Sequence, residues 1–299
     1  MQVTANGLQI EVDVQGPAEG QPLLLVMGLG MQLVAWPQAL VDLLVARGFR
    51  VIRFDNRDAG LSQGFDAYGM PNMALAALRY FLRLRVPSPY RLADMAQDAV
   101  GVLDALGIAQ AHVCGASMGG MVVQHMAAGH PQRVRSLTLI MTTSGSRRLP
   151  QARASVQRAL LRRPDGRDPG TVVAHLERLL RLIGSPAYPP EPLAFRARLA
   201  ATVARAWRPA GSARQLLAIV ADGDRTPLLG RITAPTHVVH GADDPLVPPA
   251  CGEDLARRIV GATLDLVPGM GHDLPEPLLP RLADGIAAVA ARAPGFKPV

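Results

Sequence analysis

Val113-Cys114-Gly115-Ala116-Ser117-Met118-Gly119-Gly120 is the stretch whose reading decides the fold. It contains G-x-S-x-G, with Ser117 at the centre. The apolar run from Ala111 to Cys114 predicts a buried strand in front of it. Behind it Met118, Met121, Val122, His125 and Met126 recur at three- and four-residue spacings, which predicts a helix from Ser117 to Gly129. A serine between such a strand and such a helix sits on a tight, strained turn. Side chains two residues to either side would obstruct that turn, and Gly115 and Gly119 have none. The serine hydroxyl then projects above the sheet. The Met118 N–H lies at the helix N-terminus, where developing negative charge is stabilised. The competing reading is an ordinary helix N-cap, for which serine is a favoured residue. The rest of the chain has to decide between them.

Outward from this stretch, strands and helices alternate. Val3 and Ala5, then Leu8, Ile10, Val12 and Val14, alternate with polar residues across an Asn6-Gly7 hairpin signal, which predicts an antiparallel edge. Leu23-Leu24-Leu25-Val26 is continuously apolar and predicts a strand buried on both faces. It runs into Gly28-Leu29-Gly30, followed by a helix across Trp36 to Arg47 that Gly48 closes. Phe49 to Phe54 is the next strand, and the polar loop Asp55 to Ser62 follows it. An amphipathic patch from Met73 to Arg85 reads as a helix on the body or a flap near a pocket mouth. A helix over Leu92 to Leu106 and a strand over Val134 to Met141 complete the first half. His125 and His130 read as structural. From Thr142 the alternation stops: residues 142 to 224 carry only helical patterns, near 149–162, 171–183, 193–207 and 212–222. Strands return at Thr236 to His240 and Thr263 to Val267, with helices over Cys251 to Val260 and Pro277 to Arg292.

That alternation predicts a mostly parallel sheet covered by helices on both faces. Ligand sites in such sheets lie beyond the carboxyl ends of the strands. Gly28-Leu29-Gly30, Asp55 to Ser62, Ser117, Asp243-Asp244 and His272 all fall there. A serine nucleophile needs a base within hydrogen-bond reach, and the base needs an orienting acid. Downstream of Ser117 stand His175, His237, His240 and His272. His175 belongs to a helical pattern, and His237 and His240 to a strand. His272, in the loop after the last strand, is the candidate base. Asp244, in Gly241-Ala242-Asp243-Asp244-Pro245, is the candidate acid. Asp243 is suited to capping the turn, and Asp265 sits inside a strand. The resulting order is Ser117, Asp244, His272, which is one of the known serine-hydrolase orders. For an oxyanion hole the sequence nominates the N–H groups of Met118 and Leu29, since Gly28 and Gly30 allow close backbone approach.

Composition bounds the partners. The 299 residues are 49% hydrophobic, enough for one large α/β domain or a domain with an insertion. Two cysteines, Cys114 and Cys251, cannot form a disulfide framework and fit a reducing compartment. No signal peptide or membrane span is evident, so the expected location is cytoplasmic. Lys297 is the single lysine, and the richness in Arg, Ala, Gly and Pro suggests a GC-rich bacterial source. Residues 142 to 224 hold 14 arginines against 6 acidic residues. Solvated helix faces explain this excess, and attraction of an anionic substrate is the functional alternative. Aromatics are only 4% and no nucleic-acid motif is present. No His/Cys/Asp/Glu cluster has metal-ligand spacing, so neither metal nor organic cofactor is expected.

On Gly115-Ala116-Ser117-Met118-Gly119-Gly120, Asp55 to Ser62, Gly241 to Pro248 and Gly269-Met270-Gly271-His272, the chain resembles the α/β-hydrolase superfamily over essentially its whole length. Met27-Gly28-Leu29-Gly30 with Trp36-Pro37 and the N-R-D-x-G-L-S loop resembles the aclacinomycin methylesterase-like branch. The resemblance implies an α/β-hydrolase fold with an eight-stranded, mostly parallel sheet. It also implies a core over 1–141 and 225–299 and an all-helical cap over 142–224. Two positions depart from the common pattern: Met27 stands where many members carry His, and Asp58 where the loop often has Gly. The activity implied is hydrolysis of a carboxylic ester, hydrophobic or aromatic and polyketide-like, through an acyl-enzyme. A cofactor-free haloperoxidase or perhydrolase and a carbon–carbon bond hydrolase would use the same three residues. A ligand-binding protein with an idle triad is the reading from another class. The expected partner is a small-molecule ester, with neither nucleic acid nor membrane, and a homodimer is the assembly weighed.

Overall fold

The computed structural model describes residues 1–162 and 164–294; Arg163 and residues 295–299, Lys297 among them, lie outside the described residues. In chain order the strands are β1 (Gln2–Ala5), β2 (Leu8–Gln15), β3 (Gln21–Val26), β4 (Phe49–Phe54), β5 (Ala111–Ala116), β6 (Val134–Ile140), β7 (Thr236–Gly241) and β8 (Thr263–Val267). The core helices are α1 (Gln38–Val45), α2 (Met73–Phe81), α3 (Leu92–Ala105) and α4 (Met118–Gly129). Four long or medium helices then separate β6 from β7: α5 (Ala154–Leu161), α6 (Pro169–Ile183), α7 (Pro192–Arg205) and α8 (Pro209–Asp222). The short α9 (Thr226–Leu229) leads into β7, and α10 (Ala250–Arg258) and α11 (Leu279–Ala291) finish the chain. Among the described residues no helix is long and apolar enough to cross a membrane.

The sheet order is β1-β2-β4-β3-β5-β6-β7-β8. β1 and β2 pair antiparallel, as their alternating pattern predicts, and β2 joins β4 antiparallel. From β4 to β8 every pairing is parallel. β3 lies between β4 and β5, so the winding direction reverses there, and the carboxyl ends of β3 and β5 flank the crevice that such a reversal opens. Continuous burial of Leu23 to Val26 and of the whole of β5 follows from having helices on both faces. One apolar cluster packs α3 and α4 against the sheet; the other packs α1 and α11 against the opposite face.

The predicted elements recur with shifted ends. The helix expected from Trp36 begins at Gln38, because Pro37 serves as its N-cap and disfavours helical backbone at the residue before it. Trp36 is instead fully buried beside a short 3-10 turn over Leu33–Ala35. Gly48, at φ +82°, follows the last turn of α1 as the sequence predicts.

His112 lies inside β5, fully buried, with Nδ1 2.8 Å from Ser136 Oγ and its ring edge-on to Phe49. Burial, with a smaller contribution from Arg135, pushes its pKa from 6.5 down to about 4. Folding therefore favours the neutral ring, and this stability is present above pH 6.5 and lost as the pH falls toward 4. Between pH 7 and pH 5, the stability lost in urea unfolding should be about 2 kcal/mol smaller in His112→Asn than in the parent protein. Equal pH dependence in both proteins would refute it.

Candidate active site

Ser117 occupies the turn between β5 and α4 at φ +54°, ψ −119°, a backbone region that costs a non-glycine residue about 1–3 kcal/mol. The surroundings enforce it. The Ser117 N–H donates to the Ile140 carbonyl at 2.9 Å, and Thr142 Oγ1 donates to the Ser117 carbonyl at 2.7 Å. A Cβ added at Gly115 would meet the Gly119 carbonyl oxygen at 2.5 Å. One added at Gly119 would stand 2.0 Å from the Val26 carbonyl oxygen. Strand and helix approach so closely that side chains at these two positions are excluded. Met118 opens α4, so its N–H has no acceptor within the helix's own ladder.

His272 reaches this serine from the loop after β8. Its Nε2 is 3.0 Å from Ser117 Oγ, and its Nδ1 is 2.7 Å from Asp244 Oδ2. The carboxylate beside Nδ1 favours the tautomer with the proton there, which leaves the Nε2 lone pair facing the hydroxyl. Asp244 also accepts the N–H groups of Leu246 and Val247 through Oδ1, both at 2.8 Å. It thus caps its own turn, the task the sequence reading gave to Asp243. Asp243 instead accepts the Gly269 N–H at 2.9 Å and so secures the loop that carries His272.

The other histidines stand elsewhere. His240 is buried 3.8 Å from Asp244, with Nε2 2.8 Å from the Val247 carbonyl. Burial pushes its pKa below the ordinary value. A neutral His240 leaves the Asp244 charge to His272. His125 pairs with Asp222 at 2.9 Å, and His130 with Gln97 at 2.8 Å. Asp265, within β8, is bound by Arg281 of α11 at 2.6 Å.

The turn Gly28-Leu29-Gly30, which carries the nominated oxyanion donor Leu29, packs closely against the serine. A Cβ at Gly28 would come within 3.1 Å of Ser117 Cβ. Asn56 Nδ2 holds the Met27 carbonyl at 2.9 Å, and Asp55 accepts the Leu33 N–H at 2.6 Å. Asp55 is fully buried and also binds Arg205 of α7 at 2.7 Å. Asp58, the departure from the common loop pattern, takes φ +66°, which suits the glycine usual there. Its carboxylate receives Arg214 of α8 bidentately at 2.7 and 2.8 Å and Tyr90 Oη at 2.8 Å. Burial acts to raise the Asp58 pKa, but the Arg214 hydrogen bonds, the Phe65 N–H and Tyr90 together hold it below the usual carboxylate range. Two arginines of the 142–224 excess therefore turn inward as partners of core aspartates. Sequence spacing gave no sign of this, because Arg205 and Arg214 look like any other polar positions on amphipathic helices. Gln215 was missed for the same reason, and Gln32 and Ser185 stand in loops where no motif marks them. Among the described residues no cluster of three or more His, Cys, Asp or Glu side chains is arranged to hold a metal ion.

A family profile described as alpha/beta hydrolase fold matches residues 21–276. This chain belongs to the α/β-hydrolase family. It is accordingly a hydrolase. Rhodomycin D methylesterase DauP of a Streptomyces species is 30% identical over 292 residues, covering 91% of each chain. The 3-oxoadipate enol-lactonase 2 of Acinetobacter baylyi is 26% identical over 268 residues, covering 89% of this chain and 87% of its own. A meta-cleavage product hydrolase of Pseudomonas fluorescens superposes with a TM-score of 0.75 at 19% identity, over 98% of this chain and 97% of that one. This last likeness is one of fold. The methylesterase match agrees with the branch that the sequence motifs resemble.

The strain at Ser117 is testable without any substrate. Ser117→Gly removes the Cβ from the unfavourable region, whereas Ser117→Ala keeps it. Relief of about 1–3 kcal/mol, less about 0.5–1 kcal/mol for the freer unfolded chain, should make the glycine variant the more stable by about 1 kcal/mol. Calorimetry giving the alanine variant the higher Tm would contradict a strained turn.

Proposed function

We propose that the protein hydrolyses a carboxylic ester through an acyl-enzyme on Ser117. The observation that carries this reading is the hydrogen-bonded chain from Asp244 through His272 to Ser117, at 2.7 and 3.0 Å. A serine hydroxyl is a poor nucleophile at neutral pH. His272 Nε2 takes its proton as Oγ attacks the ester carbonyl. Asp244 orients the ring and stabilises the imidazolium that forms. Negative charge then gathers on the former carbonyl oxygen, where the N–H groups of Met118 and Leu29 receive it. Each such donor is worth roughly a hundredfold to a thousandfold in rate. His272 returns the proton to the alcohol oxygen as the ester bond breaks. A water molecule, deprotonated by His272, attacks the acyl-serine, and the acid leaves with Ser117 regenerated.

The helices over 142–224 form the cap in this reading, seated over the carboxyl ends of the strands. The substrate in this reading is a small-to-medium ester, either hydrophobic or of aromatic or polyketide type. Two features support that choice. One is the methylesterase and enol-lactonase likeness. The other is that Arg205 and Arg214 are engaged with Asp55 and Asp58, which leaves them unavailable to bind a substrate anion.

An organophosphonate probe should label Ser117 of the folded protein, with labelling lost in Ser117→Ala and reduced at least a hundredfold in His272→Ala. Methyl esters of aromatic acids and p-nitrophenyl esters of graded length should then rank the acyl group. Correctly folded protein that neither labels nor turns over any ester would make this a binding protein on a hydrolase fold.

A further inference from the structure

Gln215 of α8 is fully buried, yet both ends of its amide hold backbone of the core. Its Oε1 accepts the Gly30 N–H at 2.7 Å, and its Nε2 donates to the Arg57 carbonyl at 2.7 Å. An N–H can only donate and a carbonyl can only accept, so these two partners fix which way the amide points. Gly30 lies at φ +67°, in a turn that the Met31 N–H closes onto the Gly28 carbonyl at 3.2 Å, and Gln215 holds the Gly30 N–H that this turn leaves unpaired. The Leu29 and Gly30 N–H groups belong to successive peptide planes joined at the Leu29 Cα. Anchoring one plane restricts the other to two torsions. Gln215 thus acts on the nominated oxyanion donor without touching it.

The seat of Gln215 is itself closely packed. Its neighbour Arg214 is 1% exposed and bound at both ends of the Asp58 carboxylate. A Cβ added at Gly211 would come within 2.1 Å of the Asp58 carbonyl oxygen, so α8 lies directly on the loop after β4. Nearby, Gln32 Nε2 donates to the Thr202 and Ala206 carbonyls at 2.8 and 2.7 Å. Arg205 binds Gln32 Oε1 at 2.6 Å. The stretch from Gly30 to Gln32 is therefore held from above by α7 and α8.

We infer that Gln215 is a positioning residue for the oxyanion loop, so that the loop keeps its catalytic shape only while α8 is seated on the core. The inference rests on the ester-hydrolase reading above. Gln215→Met keeps the volume and removes both hydrogen bonds. With an ester that the parent protein turns over, it should lower kcat at least about tenfold, short of the ~100- to 1,000-fold that follows loss of a donor outright. KM should stay within about threefold, because the interaction is made in the transition state. A trifluoromethyl ketone analogue, which places an oxyanion in the hole, should lose affinity in parallel with kcat. The product acid should bind as before. If Gln215→Met does not fold, Gln215→Asn, too short to span both partners, takes its place.

Raised KM with weakened product binding would make Gln215 a wall of the substrate pocket. A lowered Tm with unchanged kcat per folded molecule would make it a structural residue. Either result overturns the inference. Failure of the parent protein to label at Ser117 would instead remove the ester-hydrolase reading itself, so the two failures are distinguishable.

Discussion

The arrangement depends on how closely the chain can cross itself at the carboxyl ends of β3 and β5. The Val26 carbonyl stands where a Cβ of Gly119 would be, 2.0 Å from that atom's position. With any larger residue at 119, α4 would have to move away from the sheet. As built, the Ser117 turn is over-determined by Ile140, Thr142 and the two flanking glycines. Strain of this kind persists only where the surrounding packing outweighs it. The glycine spacing around the serine is therefore a packing requirement first, and the projecting hydroxyl is its chemical result.

The helices between β6 and β7 hold several of the loops that follow the strands. The end of α6 supplies the Ile183 carbonyl that accepts the His272 N–H at 2.7 Å. Ser185, just beyond it, accepts the Gly271 N–H at 2.9 Å and binds the carboxylate of Asp273. α7 and α8 grip the loop after β3 through Gln32, Arg205 and Gln215. The loops beside Ser117 are thus fixed partly by the core and partly by the inserted helices. Two ion pairs, Asp55–Arg205 and Asp58–Arg214, tie the layers together. Burying such charges costs desolvation energy, and the directional hydrogen bonds that offset it also fix the register of helix on loop.

Asp58 shows how a local departure from pattern is resolved at long range. Asparagine and aspartate tolerate left-handed backbone better than other non-glycine residues. Its carboxylate would be costly to bury alone, and Arg214, Tyr90 and the Phe65 N–H surround it. The substitution keeps the loop's shape and adds a buried anchor for α8. From the sequence, Asp58 was only a residue that did not match, and nothing within twenty positions of it hinted at Arg214.

The sequence by itself determined the sheet class, the antiparallel β1–β2 pair at one end of the sheet and the interruption by helices, and it nominated Ser117, Asp244 and His272 in that order. These were legible because period-two and period-3.6 patterns are local consequences of which face is buried. Glycines and prolines mark turns within a few residues, and that set most boundaries; Pro37 moved one of them. Tertiary structure alone decided the strand order, the division of labour between Asp243 and Asp244, and the partners of Arg205, Arg214 and Gln215. Those outcomes depend on contacts between segments far apart in the chain. A buried arginine on an amphipathic helix has the same sequence signature as a solvated one, and only packing tells them apart.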